Sequence, residues 1–231
     1  MVIPLRYANL CNRVLQSSHA IPVKGFLRVP FNIIYIIGKM FTFKPLINST
    51  HNFTTMNLRE TILARHSKAQ TNKIIKWIGS DQKRFDELFQ LFLNDEYRVV
   101  QRAAWPLSYC VINHPEFIQK HFSKLIKNLR KPNIGDPVKR NTVRLLQHIP
   151  IPEKLQGDVM NICFGYISDP QEKVAIKAFS LTILQNLCRQ YPEIRQELKT
   201  IIEDRWEYET AAFRSRAKKI LKELYNYNDS L

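Results

Sequence analysis

Apolar residues fall at helical spacing along most of the chain. In NLRETILARH, Leu58, Ile62 and Leu63 share one face. Ser67 can cap a second helix carrying Ile74, Ile75, Trp77 and Ile78; Gly79 ends it, and Asp81 can cap the next. From there the pattern repeats. Phe85, Leu88 and Phe89 form an i, i+3, i+4 face. The same face recurs at Phe122, Leu125 and Ile126, at Val159, Ile162 and Cys163, and at Leu198, Ile201 and Ile202. The intervals are 37, 37 and 39 residues.

A second series of helices keeps step with the first. Val99, Val138, Val174 and Phe213 take one equivalent position, followed four places on by Ala103, Thr142, Ala178 and Ala217. Small residues there let helices approach closely. Asp95, Asp136 and Asp169 stand just before these helices, with Glu209 near the same place in the last unit. Pro137 and Pro170 follow two of the acids, at a first helical turn where proline is tolerated. Two helices per unit of 36 to 39 residues predict a stacked α-helical repeat, in which one unit cannot bury its apolar face alone. The expected fold is all-α: a short right-handed α-solenoid of about four helix pairs. The pairs span about 82–113, 115–149, 152–190 and 192–224, behind an N-terminal helical cap at 57–79.

The stretch D-P-Q-E-K-V-A-I-K-A at 169–178 resembles the second-helix signature of HEAT repeats, as does D-P-V-K-R-N-T at 136–142. The resemblance covers about 82–222. It implies a scaffold or binding surface, with the second helices lining a concave face. It also implies that turn acids and helix cations pair between neighbouring units.

Composition sets residues 1–55 apart. They hold six basic residues, no acid, and prolines at 4, 22, 30 and 45. The apolar run Phe31–Gly38 is shorter than the roughly 20 residues needed to span a bilayer. The segment reads as a targeting peptide, an interfacial anchor, or an extension preceding the folded unit. We expect the last: a poorly ordered or non-native extension, with the folded domain at 56–231 and Met56 its natural start. Cys11, Cys110, Cys163 and Cys188 form no C-x-x-C pair, and the last three sit among apolar neighbours. They read as reduced thiols in a cytoplasmic protein.

A net charge of +15 favours acidic partners: nucleic acid, an anionic membrane surface or an acidic protein. On the implied concave face the cations form a ladder. Arg102, Lys177 and Arg216 recur at one position, with Arg98 and Lys173 a turn earlier and Arg144 and Lys219 a turn later; Lys139, Arg140, Arg214 and Lys218 add to it. Such a groove could track phosphates. The alternative is that Asp95, Asp136 and Asp169 neutralise Arg102, Lys177 and Arg216 and the ladder only holds register. Trp105, followed by Pro106 and by Tyr109 a turn on, is peculiar to one unit and marks a candidate pocket. Its own structural reading is packing between repeats.

The alkylpurine DNA glycosylases are similar in repeat type and basic groove. Their resemblance implies an aspartate one turn after a tryptophan. Here Tyr109 stands four places after Trp105, and Thr210 four after Trp206. The carboxylate is unmatched and no catalytic residue is assigned. No phosphate-binding glycine loop, no H-E-x-x-H and no zinc spacing is present, so neither cofactor nor metal is expected. Glu203, Asp204, Glu207 and Glu209 form one acidic cluster, which reads as a solvated face or a contact surface. The preferred function is a non-catalytic protein-binding scaffold without stable membrane insertion. Nucleic-acid binding is the alternative, and glycosylase-like activity a third. The sequence carries no signal for an oligomeric state.

Overall fold

The computed structural model describes residues 56–228, with side chains through Tyr225. The expectations for residues 1–55, and Cys11, lie outside the described residues. The described chain is all α, with short 3-10 turns and no strand. Ten α-helices follow one another: α1 Leu58–Ala64, α2 Lys68–Ile78, α3 Gln82–Asn94, α4 Tyr97–Asn113, α5 Phe122–Leu129, α6 Asp136–Leu146, α7 Glu153–Ser168, α8 Val174–Leu187, α9 Arg195–Arg205 and α10 Ala211–Asn228.

Local chemistry sets the helix starts. The Asn57 side chain accepts from the Glu60 N–H, Ser67 Oγ from Gln70, and Asp81 Oδ1 from Lys83 and Arg84. Gly79, at φ 51, closes α2 and returns its N–H to Ile75 O. Pro115 and Pro192 open the 3-10 turns that lead into α5 and α9. Pro106 lies inside α4, which nonetheless runs unbroken to Asn113.

The helices form two layers. One holds α3, α5, α7 and α9; the other holds α4, α6, α8 and α10, with α1 and α2 packed against α4 at one end. Neighbouring helices of the second layer pack together more closely than those of the first. A single apolar core runs between the layers. Phe85, Phe89, Phe92, Phe122 and Phe213 are fully buried in it. Cys110, Cys163 and Cys188 are buried free thiols; burial pushes Cys110 and Cys163 up to about 12 and Cys188 up to about 11.

Burial corrects the repeat register in α8. The buried series of α4 and α6 starts at Val99 and Val138. In α8 it starts at Ile176, two places beyond Val174, which is only partly buried. The equivalent positions are therefore Val99, Val138, Ile176 and Phe213, with the small residues Ala103, Thr142, Ser180 and Ala217 four places on, all buried. The cause is local. Pro137 sits in the first turn of α6, but Pro170 lies in the turn before α8, and the Asp169 side chain accepts there from the Gln171 N–H. Helix α8 therefore starts only at Val174, four places after Pro170, and its third residue is Ile176, as Val99, Val138 and Phe213 are the third residues of their helices.

Candidate functional site

The corrected register determines what each cation does. One place after the first buried residue stand Val100, Lys139, Lys177 and Arg214. Two places before each second helix stand Asp95, Ile134, Glu172 and Glu209. These two sets meet across the repeats. Lys139 Nζ lies 2.8 Å from Glu172 Oε2 in the next unit. Lys177 Nζ lies 2.5 Å from Glu209 Oε1, and both side chains are almost wholly buried, at 2% and 4% exposure. Arg205 adds a second cation to Glu209 at 2.9 Å. Where the loop position is the apolar Ile134, the helix position is the apolar Val100, and both pack against the core.

The expected pairing of Asp95, Asp136 and Asp169 with Arg102, Lys177 and Arg216 is therefore not what the fold builds. Asp95 is held by Arg59 of α1, at 3.0 Å. Arg102 Nη1 donates to the carbonyls of Leu63, at 2.7 Å, and Ile62, closing the C-terminal end of α1. Arg216 Nη1 donates to Thr182 Oγ1 at 2.7 Å. Lys177 is no part of an exposed ladder, because its ammonium is desolvated and consumed by Glu209. The acidic cluster is broken up by the same contact: Glu209 is buried, while Glu203 accepts from Tyr225 Oη and faces Lys199. Of the remaining ladder residues, Arg98, Lys173, Lys218 and Lys219 are exposed and Arg214 is half-buried.

Trp105 and Tyr109 project from one face of α4 into a groove of about 350 Å³. Gln101, one turn before Trp105, continues the α4 wall. The facing wall is α6, with Pro137, Arg140, Asn141 and Arg144. Phe179 of α8 and His66, from the turn between α1 and α2, complete the lining. The parts are mutually fixed. His66 meets Trp105 edge to face at 5.8 Å between ring centroids. The Arg144 guanidinium lies 4.4 Å from the Tyr109 ring centroid, and its presence holds the Tyr109 phenol below its usual value. The Asn141 Nδ2 donates to Pro137 O, and Ser108 Oγ reaches Asn141 Oδ1 at 3.4 Å.

Trp105, Tyr109 and Arg144 were visible as candidates in the sequence, and the fold brings them together. His66 and Phe179 were missed. Phe179 had a signal: in the corrected register it is equivalent to Arg102 and Asn141. His66 had none, because only the packing of α1 and α2 on α4 carries it there.

A second cluster lies on the other layer. Asp86 of α3 accepts from Lys120 Nζ at 2.6 Å, His121 Nε2 at 2.7 Å and Gln82 Nε2 at 2.8 Å. Partial burial opposes its charge, yet the three donors hold the carboxyl down to about 2. His121 also stacks on Phe89 at 4.5 Å. With every partner satisfied, this is a clamp between α3 and the turn before α5. Among the described residues no group of three His, Cys, Asp or Glu side chains could hold a metal ion, and no helix is long and apolar enough to cross a membrane.

The family model for the HEAT repeat domain matches residues 58–224. No curated protein and no solved structure matches the chain.

Proposed function

The chain belongs to the HEAT repeat family, and from that premise we propose that it is a non-catalytic scaffold that holds a partner protein on its concave face, through the groove between α4 and α6. HEAT repeats generally serve as protein-interaction scaffolds. The observation that carries the proposal is the contrast in how polar groups are spent. Lys139, Lys177, Arg102 and Arg216 are bonded within the fold, whereas the groove offers aromatic faces and Arg140 to solvent. Half-exposed tryptophan, tyrosine and arginine are the residue types that dominate binding energy at protein interfaces.

Nucleic-acid tracking along the whole face is less favoured. It needs a continuous row of available cations, and four of the ladder residues are engaged elsewhere. A photo-crosslinking amino acid at Gln101 in the full chain, followed by mass spectrometry, tests the proposal. The expected adduct is one protein, reconstituted with the purified chain and lost on Trp105→Ala. Equal crosslinking by the Trp105→Ala chain would refute it.

A further inference from the structure

We infer that the groove between α4 and α6 selects an acidic protein segment: a flat or aliphatic side chain set on Trp105 and Phe179, beside a carboxylate taken by Arg140 and Arg144. The inference rests on the protein-binding reading above and adds the chemistry of the partner.

The lining carries no acid at all, against two arginines. Arg140 is exposed, and Arg144 is half-buried with its guanidinium seated over the Tyr109 ring. An arginine positioned by an aromatic ring keeps its planar donors in place. It therefore loses little freedom on meeting a carboxylate and can engage it through two parallel hydrogen bonds. Arg144 also lowers the Tyr109 phenol, chiefly by hydrogen bonding to it, which ties the guanidinium to the ring it lies over. Asn141, buried and bonded to Pro137 O and Ser108, holds the same wall in place. The volume of about 350 Å³ lies at the small end of the range for ligand pockets, about 300–1,000 Å³, and fits one or two side chains better than a folded domain.

The cations are focal rather than periodic. At the α8–α10 junction Lys177 is buried against Glu209 and Arg216 is bound to Thr182. A strand of nucleic acid presents phosphates at regular intervals, and outside this cluster the exposed ladder cations Arg98, Lys173, Lys218 and Lys219 line no part of the groove. A peptide with one acidic anchor needs no more than the cluster supplies.

The test is fluorescence anisotropy on the full chain with dye-labelled ten-residue peptides. Each carries one aromatic or leucine residue followed at varied spacing by Glu or Asp. Matched peptides carry Gln or Asn instead, and an oligo-dT strand of ten nucleotides serves as the nucleic-acid arm. Carboxylate peptides should bind, with amide counterparts roughly tenfold weaker or worse. Arg144→Gln and Arg140→Gln should erase that preference, and Trp105→Ala should weaken both sets. Equal binding of amide and carboxylate peptides, lost on Trp105→Ala, overturns the acidic selectivity and leaves the protein-binding groove standing. Binding of oligo-dT in preference to every peptide overturns both readings. If no peptide binds while a crosslinked partner is still lost on Trp105→Ala, the acidic-segment inference alone fails.

Discussion

Two junctions between neighbouring second helices are built to one plan and end in opposite states. Between α8 and α10, the cation after the first buried residue is Lys177. It is sealed against Glu209, with Arg205 alongside. Between α4 and α6 the same two positions are Val100 and Ile134, both apolar. No ion pair is needed there, and the arginines of α6 remain available to the groove. At this helix position a lysine is a staple where the following loop offers a carboxylate, as for Lys139 and Lys177. The partner lies 32 or 33 residues along the chain, in a loop whose length varies from unit to unit.

The comparison is broken most severely at the sealed junction. Lys177→Met leaves Glu209 buried with half its compensation. Urea unfolding should show a loss of about 3 kcal/mol, the low end for breaking a buried pair because Arg205 remains. A loss below about 1 kcal/mol would show that the pair is solvated in solution. The more exposed Lys139, changed to Met, should cost less than Lys177→Met in the same assay.

The plan common to both junctions is the small residue between second helices. Ala103→Leu forces added bulk into a fully buried contact and should cost about 2 kcal/mol, with Ala217→Leu similar, read as lowered melting temperatures. A wide difference between the two would mean that the junctions do not share their packing.

The clamp at Asp86 tests the outer layer by pH. Its folded carboxyl titrates at about 2, below the ordinary 3.8. A depressed carboxylate contributes stability that is present above the unfolded value and lost as pH falls through the folded one. Wild type should therefore lose more stability than Asp86→Asn between about pH 3.8 and about pH 2. Parallel acid titrations of the two proteins by circular dichroism would contradict the clamp.

The smallest effect on stability belongs to the open junction. Arg140→Ala should stay within about 0.5 kcal/mol of wild type in urea, as for any exposed side chain that holds nothing in place. A larger loss would place Arg140 among the staples and remove it from the groove.

Much of the fold follows from local pattern. The Phe85, Leu88, Phe89 face and its counterparts identify the first helices because each face is set within one turn of chain. Asn57, Ser67 and Asp81 mark helix starts for the same reason. The register of α8 was misjudged by two residues because Pro170 resembles Pro137 in sequence but ends up in a loop. That error hid Phe179 and placed Lys177 on the surface. Trp105 and Tyr109 were legible as unusual, since no other unit has them. Their partners His66 and Phe179 come from other units.

The sequence by itself determined the helices, their pairing into units and the apolar stripe that stacks them. Each depends on spacing within a few turns, and spacing is written in the chain. Tertiary structure alone decided which charges stay on the surface. That outcome depends on whether an acceptor some 32 to 40 residues away arrives within about 3 Å, as it does for Lys177 and Arg102. Loop length and helix packing control that arrival, and no local periodicity records it.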